Sequence, residues 1–428
     1  MGGGFRSSAA RSASTSASSC NSPLLRPENM VHQMIKMNTN PAARASSRIK
    51  PMRNGLQWLV GLAIVATLAG CSVGPRVPDA PTRPSATPPR DLGPLTGSLA
   101  HPKSRWVPVG WAELPGFGED PLHEAWIALL ANCSRPNAAF APLCREVRQL
   151  AIATPEEQRQ WMTDRLQPYR VESLAGQSEG KLTSYYEPVY EASRMPNATF
   201  NVPLYQAPDG LVPKRPWYTR QEIETLPEAQ AALRGREIAW MADPIDALML
   251  HIQGSGRLRI TEANGFQHTV RVAFSATNEQ PYRSVQQWLM SQGVSKVGKW
   301  PDDTKAWAVQ NPQRVSQLLW SNPRYVFFRE ETMSEVDAAF GPRGAQGVPL
   351  TAGRSIAVDR DSIPYGTPVW LASSGPAAQL QKLVVAQDTG SAILGAVRAD
   401  YFAGTGPDAG RFAASMNQPL RLWALWPK

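Results

Sequence analysis

From residue 181 to residue 428, the chain consists of short apolar segments separated by turn-forming residues. Five prolines fall between residues 196 and 216, and the pair Asn264-Gly265 separates two alternating segments, which is a strong β-hairpin signal. Short strands are expected at residues 182–190, 257–263, 266–274, 325–328, 355–358, 367–371, 383–387 and 420–426. The pattern therefore predicts a mainly β protein with peripheral helices.

Helical signals are fewer, and they have clear starts. Asp120-Pro121 offers an N-cap and a first-turn proline ahead of an apolar stripe, so we expect a helix there. Thr154 and Glu157 have the spacing of a capping box, which predicts a second helix. Further helices are expected near residues 244–253, 285–290 and 314–320.

The charge of the chain is unevenly distributed. The net charge is +9, but residues 1–70 hold eight basic residues and one acidic residue, which leaves 36 basic and 34 acidic residues for 71–428. A nearly neutral body argues against nucleic-acid binding. The hydrophobic content of 42% predicts a packed interior, and 428 residues suit two domains of ordinary size.

Residues 1–70 have the character of a leader. Arg53 precedes an apolar run at 56–68, and Leu-Ala-Gly-Cys71 closes it, which resembles the lipobox of bacterial lipoproteins. We expect translation to start near Met52, lipid to be attached to Cys71, and the mature protein to be an outer-membrane lipoprotein that faces the periplasm. Ser72, which stands where aspartate would retain such a protein in the inner membrane, favours that sorting. An ordinary signal peptide or a short anchor with a chance cysteine is the alternative.

Two features of the expected mature chain fit this location. Residues 71–95 contain seven prolines and predict a stiff, extended tether. Cys133 and Cys144 are then the remaining pair of cysteines, so an oxidising periplasm would allow a disulfide between them, with two buried thiols as the alternative.

Several patterns that could carry chemistry are weak. The four histidines after residue 71 are widely spaced and no cysteine cluster is present, so we expect neither a metal site nor a cofactor. Residues 176–180 match the G-x-S-x-G nucleophile pattern but lack the strand before it and the helix after it. Asp388-Thr389-Gly390 follows an apolar strand as in aspartic proteases, whose two aspartates share one proton, so a single copy would need a symmetric dimer.

The region from 182 to 428 contains eight motifs in a fixed order. They lie at residues 185–189, 253–256, 322–328, 341–344, 349–359, 363–369, 388–393 and 398–406. Together they resemble the motifs of the membrane-bound lytic murein transglycosylase A family, whereas residues 96–180 match only in general character.

The resemblance implies a fold and a division of the chain. The family has a double-psi β-barrel domain, here expected at 96–188 and 324–428, with an inserted smaller β-barrel-like domain at 189–323. A groove between the two domains holds a glycan strand. The family's catalytic aspartate maps to Asp400, and a supporting aspartate maps to Asp388. Ser391 stands where family members often have glycine, which is a departure beside Asp388.

The resemblance also implies a reaction that one carboxyl group can perform. A lytic transglycosylase cleaves the bond between N-acetylmuramic acid and N-acetylglucosamine in peptidoglycan and leaves a 1,6-anhydro end, so it needs no nucleophile from the enzyme. We expect a monomer. One of the adjacent residues Tyr185 and Tyr186 is expected to stack on a sugar. Arg354 is expected either to hold the glycan or to brace the barrel. The expected substrate-binding residues are Thr183, Tyr185, Tyr186, Gln253, Ser255 and Arg354. The remaining alternative is a non-catalytic lipoprotein that binds peptidoglycan.

Overall fold

The computed structural model describes residues 97–294 and 301–428, which form fifteen strands and eleven α-helices. The strands are β1 (Leu99–Ala100), β2 (Arg105–Pro108), β3 (Leu166–Glu172), β4 (Gly180–Glu187), β5 (Val189–Ser193), β6 (Val202–Tyr205), β7 (Glu237–Met241), β8 (Ser255–Thr261), β9 (Gln267–Thr277), β10 (Val326–Thr332), β11 (Ser355–Val358), β12 (Pro368–Ser374), β13 (Gln379–Asp388), β14 (Arg398–Thr405) and β15 (Asn417–Pro427). The helices are α1 (Leu122–Asn132), α2 (Cys144–Gln149), α3 (Pro155–Arg165), α4 (Arg220–Thr225), α5 (Pro227–Leu233), α6 (Pro244–Gln253), α7 (Val285–Ser291), α8 (Asp302–Gln310), α9 (Val315–Trp320), α10 (Glu335–Ala339) and α11 (Pro407–Ser415).

The first sheet closes on itself into a barrel. Its order is β1-β2-β3-β15-β12-β13-β11-β14-β4, and β15 also pairs with β4, which joins six of the nine strands in a ring. The closure depends on the length of β15, because Asn417 pairs with Thr183 of β4 while Trp423 pairs with Arg170 of β3. The pairs β11·β13 and β14·β4 are parallel and the others antiparallel. This arrangement confirms the prediction of a β-rich protein and fits the expected double-psi barrel.

Alternation along the barrel strands separates an apolar interior from an outer face. Leu182, Ile356, Val358, Ala399 and Tyr401 belong to one buried cluster, and the residues between them on each strand point the other way. Full burial of an aliphatic side chain of this size contributes about 1.5–3 kcal/mol to folding, so this cluster stabilises the ring.

A helical layer covers part of the outer face. Trp126 of α1 shares a second apolar cluster with Trp370 and Trp423 of the barrel wall. A disulfide joins Cys133, just after α1, to Cys144, the first residue of α2. Thr154 caps α3 through the predicted capping box.

The predicted N-cap of α1 has a different role. Pro121 occupies the cap position and no side chain caps the helix. The carboxylate of Asp120 is buried, and its Oδ2 atom accepts the Leu383 N–H and an Arg354 N–H, both at 2.8 Å. Asp120 therefore fastens the start of α1 to the barrel, because a buried arginine needs a carboxylate more than a solvent-exposed helix end does.

The second sheet has the order β10-β9-β8-β5-β7-β6 and is formed by the chain between β4 and β11. The barrel and this second sheet, each with its helices, are called the two bodies below. The predicted hairpin at Asn264-Gly265 joins β8 to β9. Leu204 of β6 and Phe328 of β10 share one apolar cluster although their strands lie at opposite edges of the sheet, so the sheet curves into a barrel-like form. Strand β10 pairs with β9 along its whole length, which carries this body to Thr332, beyond the boundary at 323 expected from the sequence.

One buried carboxylate lies where the chain passes between the two bodies. Glu187 ends β4, is fully buried, and accepts hydrogen bonds from Arg257 Nε at 2.8 Å and Arg271 Nε at 2.6 Å. The Thr405 hydroxyl of the barrel donates to the same carboxylate at 2.8 Å. Both arginines also donate to the carbonyl of Phe340, on the segment that returns to the barrel. The Glu187 network therefore fixes both segments that connect the two bodies, the end of β4 and the segment near Phe340.

Several predicted features lie outside the described residues. These are the leader at 1–70, the start at Met52, the lipidated Cys71 and the tether at 71–95. Within the described ranges, no helix has the length and apolar character needed to span a bilayer.

The Glu187 network predicts a large and specific loss of stability. Glu187→Gln leaves the Arg257 and Arg271 guanidinium groups buried without a full counter-charge, so the free energy of unfolding should fall by about 3–5 kcal/mol. The matched control is Glu191→Gln, because Glu191 pairs with Arg259 on the neighbouring strands with both side chains more than half exposed, and its loss should cost less than about 1 kcal/mol. Urea unfolding followed by circular dichroism measures both, and equal losses would contradict the prediction.

Candidate active site

The two aspartates predicted from the motifs lie in one row across the barrel wall. Ala357 of β11 pairs with Asp388 of β13 on one side and with Asp400 of β14 on the other, and Asp400 pairs with Thr183 of β4. Neighbouring strands are about 4.8 Å apart, so the Cα atoms of the two aspartates are separated by about 10 Å. The row lies on the outer face, because the flanking Ile356 and Val358 belong to the interior cluster.

A bulge brings Asp388 onto this face. The pairing of β11 with β13 steps from Ile356·Ala386 to Ala357·Asp388, so Gln387 is an extra residue. The Gln387 side chain is buried, donates to the Ala128 carbonyl of α1 at 3.1 Å and accepts from the Ser355 hydroxyl at 2.6 Å. Those bonds hold the extra residue against the helical layer and turn the next side chain toward Asp400.

Asp400 has one occupied and one open carboxylate oxygen. The Thr183 hydroxyl donates to Oδ1, and Arg398 Nη2 donates to the Thr183 oxygen at 2.8 Å. Within the described residues no hydrogen bond reaches Oδ2, and the side chain keeps partial solvent exposure. Burial raises the pKa of Asp400 above its ordinary value, the charge of Asp388 adds to this rise, and Thr183 and Arg398 oppose it.

Asp388 differs because both of its oxygens are occupied. The backbone N–H of Ala345 donates to Oδ1 at 2.9 Å, and the Tyr185 hydroxyl donates to Oδ2 at 2.8 Å. Burial raises the pKa of Asp388, while these donors and a Thr389 N–H oppose the rise. The environment therefore fixes the orientation of Asp388 and leaves Asp400 as the aspartate with a free oxygen.

Tyr185 and Phe402 form an apolar wall beside the aspartates. They pair in register on β4 and β14, with ring centroids 5.3 Å apart. Gly341 packs against the Phe402 ring so closely that a Cβ atom there would clash with it. Burial and the Asp388 charge keep the pKa of Tyr185 well above its ordinary value, so its hydroxyl remains a proton donor to Asp388.

Of the two adjacent tyrosines, Tyr185 faces the aspartates and Tyr186 faces the opposite side of β4. Tyr186 lines a cavity of about 850 Å³ together with Asp246 and Lys305, and the lining includes neither Asp388 nor Asp400. The Tyr186 N–H donates to the side-chain oxygen of Gln253 at 3.1 Å. Ser255 begins β8 in the second sheet. The structure thus brings Thr183 to Asp400 and Tyr185 to Asp388. Tyr186 and Gln253 meet where β4 approaches α6, and Ser255 lies within the second sheet.

The expectation that Arg354 binds substrate is wrong. Its side chain is only 1% exposed, and it forms ion pairs with Asp120 and with Glu124, both at 2.8 Å. It also donates to the Leu383 carbonyl at 3.0 Å. Arg354 therefore braces α1 against the barrel, which is the alternative that the sequence left open, and its guanidinium is enclosed away from any glycan.

Two neighbours of the aspartates received no role from sequence reasoning. Arg398 stands two positions before Asp400 on the same face of β14, so period-two alternation, had that segment been recognised as a strand, would have placed them together. The Ala345 N–H bound to Asp388 has no side-chain signal at all. Among the described residues no cluster of His, Cys, Asp and Glu has metal-binding geometry.

Comparisons with known proteins agree with this architecture. The family described as "MltA specific insert domain" matches residues 181–329, and the "3D domain" family matches residues 354–426. The membrane-bound lytic murein transglycosylase A of Escherichia coli K12 is 30% identical over 268 residues, which cover 60% of this chain and 68% of that protein. The Vibrio cholerae protein of the same name is 29% identical over 263 residues, covering 58% and 67%.

Solved structures give the same result. The lytic transglycosylase LtgG of Burkholderia pseudomallei is 39% identical with a TM-score of 0.54, covering 79% of this chain and all of that one. MltA from Neisseria gonorrhoeae is 27% identical with a TM-score of 0.66, covering 80% and 97%. This chain, with its closed barrel, its inserted second sheet and its two aspartates in one row, belongs to the membrane-bound lytic murein transglycosylase A family.

Proposed function

We propose that this protein is a lytic transglycosylase that cleaves the β-1,4 bond between N-acetylmuramic acid and N-acetylglucosamine in peptidoglycan. Its relatives carry that activity in their names. The observation that carries the proposal for this chain is the difference between its two aspartates. Asp400 has a raised pKa and a free oxygen, while both oxygens of Asp388 are engaged.

One carboxyl group is sufficient for this reaction. Asp400 donates its proton to the glycosidic oxygen as the bond to the muramic anomeric carbon breaks, and N-acetylglucosamine leaves with a free hydroxyl. The 6-hydroxyl of the same muramic acid attacks the anomeric carbon, and the Asp400 carboxylate accepts its proton. The enzyme returns to its starting state without consuming water, and the attack benefits from the high effective concentration of a group within the same sugar.

The surroundings of Asp400 suit this double role. A raised pKa favours the protonated carboxyl group that the first step needs. The Thr183 hydroxyl, itself held by Arg398, fixes Oδ1 and leaves Oδ2 toward the opening. Hydrolysis of a glycoside normally needs a second free carboxyl group as nucleophile or base, and Asp388 is occupied by Tyr185 and Ala345. The arrangement therefore favours cyclisation over attack by water.

The remaining predicted contacts extend the proposal to the junction of the two bodies. Thr183 and Tyr185 act at the aspartates, and Tyr186, Gln253 and Ser255 contact the glycan farther along the strand. Tyr186 supports this reading because its ring is only partly buried and lines an open cavity. The chemistry needs no cofactor, and the protein acts as a monomer.

The location is part of the proposal. The relatives are named as membrane-bound proteins. In this chain the lipobox-like sequence at Cys71 would supply the attachment, and the proline-rich residues 71–95 would hold the enzyme at a distance from the outer membrane, facing the periplasm. The disulfide between Cys133 and Cys144 suits such an oxidising compartment.

The two alternatives differ in their observables. A dimeric aspartic protease needs two Asp388 carboxyl groups that share a proton, and the hydrogen bonds from Tyr185 and Ala345 already occupy both oxygens of each. Indifference to pepstatin is therefore expected. A non-catalytic lipoprotein would bind isolated sacculi and release no soluble product.

The role of Asp400 is tested by Asp400→Asn. The amide cannot donate and recover a proton, so release of anhydro-muropeptides from sacculi should fall at least about 10²–10⁴-fold. The matched control is Asp408→Asn, since Asp408 lies nearby in sequence on α11 with its side chain 88% exposed. Mass spectrometry of the products measures the change, because an anhydro end is one water lighter than a reducing end. Near-normal activity of a folded Asp400→Asn protein would refute the assignment.

The charges around Asp400 predict opposite shifts of the pH profile. The first step needs protonated Asp400, so kcat/KM falls as pH rises through its pKa. Arg398 lowers this pKa and Asp388 raises it. Arg398→Gln should therefore move the alkaline limb to higher pH and Asp388→Asn to lower pH, each by about one unit. Limb positions are compared rather than rates, because both variants also slow the reaction; shifts in the same direction would contradict the prediction.

The anchor is tested by labelling cells with a radioactive fatty acid. The wild-type protein should carry label and sediment with outer membranes, whereas Cys71→Ala should be unlabelled, since the thiol is the attachment point. Absence of label from both proteins would remove the lipid anchor from the proposal.

A further inference from the structure

Two basic side chains lie next to each other on the outer face of the barrel, one row away from the aspartates. Arg398 of β14 pairs in register with Lys181 of β4, as Asp400 pairs with Thr183 two positions farther along. We call Lys181 and Arg398 the basic pair. Neighbouring strands are about 4.8 Å apart and a strand rises about 3.3 Å per residue, so the basic pair lies about 6.6 Å from the row of Asp400 and Thr183.

The basic pair is on the side of that row that faces away from the second sheet. Strands β4 and β14 approach the second sheet at their other ends, where the Thr405 hydroxyl donates to the Glu187 carboxylate at 2.8 Å. Lys181 is exposed and Arg398 is partly exposed. A group that projects from a substrate at Asp400, away from the second sheet, would therefore meet both basic side chains.

The Arg398 guanidinium is only partly engaged by the protein. Nη2 donates to the Thr183 hydroxyl at 2.8 Å, and Nη1 donates to the backbone carbonyls of Ala399 and Lys181. Nε donates to no residue in the described part of the chain. Burial lowers the pKa of Arg398, and the charge of Asp400 opposes this effect. Because the proposed first step needs protonated Asp400, that compensating charge is absent when the reaction begins.

Neither member of the basic pair forms an ion pair with another residue of 97–294 or 301–428. The acidic residues at the ends of the neighbouring strands are placed elsewhere. Asp359, which follows β11, pairs with Lys103 at 3.1 Å, and Glu179, which precedes β4, lines a pocket beside β12 and β15. Two cations side by side repel each other, and more strongly where one is partly desolvated. A bound anion would relieve this repulsion.

We propose that the basic pair binds a carboxylate carried on the 3-oxygen of the muramic acid whose glycosidic bond meets Asp400. This identification of the ligand rests on the proposed function. Muramic acid differs from N-acetylglucosamine by the lactyl ether at that oxygen. The ether ends in a carboxylate in glycan without stems and continues into an acidic peptide in intact peptidoglycan.

The proposal assigns the basic pair a role in specificity. The 3-oxygen belongs to the same ring as the anomeric carbon at Asp400, so its substituent is the part of the substrate that extends toward the next row. A carboxylate suits both an ammonium and an arginine guanidinium, and such charge-assisted hydrogen bonds are stronger than neutral ones. N-acetylglucosamine offers a neutral hydroxyl there. The basic pair therefore favours muramic acid over N-acetylglucosamine on the side of the bond that forms the anhydro ring.

The test is calorimetric titration of Asp400→Asn, in which no turnover interferes. Three tetrasaccharides of alternating N-acetylglucosamine and N-acetylmuramic acid serve as probes. The first has free lactyl carboxylates, the second has the neutral lactyl amides of the same size, and the third has L-Ala-D-Glu stems. At least one acidic probe should bind about tenfold more tightly than the amide, and which one does so identifies the lactyl group or the stem as the source. Equal affinity for all three would overturn the proposal.

Substitutions of the basic pair locate the binding. In the Asp400→Asn background, Lys181→Gln and Arg398→Gln should each lower the affinity ratio of acidic probe to amide from about tenfold to about threefold or less. A purely structural effect would weaken all probes equally and leave this ratio unchanged. The matched control is Arg145→Gln, which removes the same charge from an exposed position on α2 and should leave the ratio at its original value.

An unchanged ratio in the Lys181→Gln and Arg398→Gln proteins would overturn the proposal. If Arg398→Gln does not fold, Lys181→Gln decides, because the Lys181 side chain is exposed. The proposed function fails by a different observation, namely the absence of anhydro products from the wild-type protein. The affinity ratios are measured without turnover and are unaffected by that result.

Discussion

The structure depends on the carboxylate of Glu187 and the two arginines that enclose it. The chain leaves the barrel at the end of β4 and returns through residues near Phe340, and the Glu187 network holds both passages. Replacement of such buried ions by apolar residues is often neutral or even stabilising, so their effect is mainly one of orientation once both partners are present. The same strand that ends in Glu187 carries Thr183 and Tyr185, and the junction is therefore tied directly to the aspartates.

The chemistry follows from sheet geometry. Register places Asp388, Ala357, Asp400 and Thr183 in one row, and a single extra residue, Gln387, turns Asp388 into that row. Two identical side chains then have different surroundings, because both oxygens of Asp388 accept hydrogen bonds whereas Asp400 retains a free oxygen. This arrangement explains how a single carboxyl group serves as acid and base in the proposed reaction.

Local signals predicted much of the fold, and long-range contacts were beyond them. The hairpin at Asn264-Gly265 and the capping box at Thr154 could be predicted, because each depends only on residues close together in the chain. Asp120 failed as a predicted N-cap because its partner, Arg354, lies 234 residues away. The sequence pattern predicts neither α8 nor α11, and it does not indicate β14 because that segment mixes charged, small and aromatic residues.

In the candidate site, too, local patterns were predictable and long-range contacts were not. The motif resemblance located Asp400 and Asp388, and strand periodicity required that Tyr185 and Tyr186 face opposite sides. Which of them meets the aspartates depends on register with β14, which no pattern within β4 encodes. Arg354 was ambiguous because the same guanidinium fork suits a sugar hydroxyl and a buried carboxylate, and only burial decides between them.

The pairing of β15 with both β3 and β4, which closes the barrel, has a consequence for the order of folding. Strand β4, which carries Thr183 and Tyr185, completes its hydrogen bonding only when β14 and β15 arrive from more than two hundred residues farther along the chain. Contacts at such sequence separation form late in folding. The row that carries the two aspartates thus stays incomplete until nearly the whole chain is free to fold, and a chain lacking its last strands would have the motif residues without the surface that holds them together.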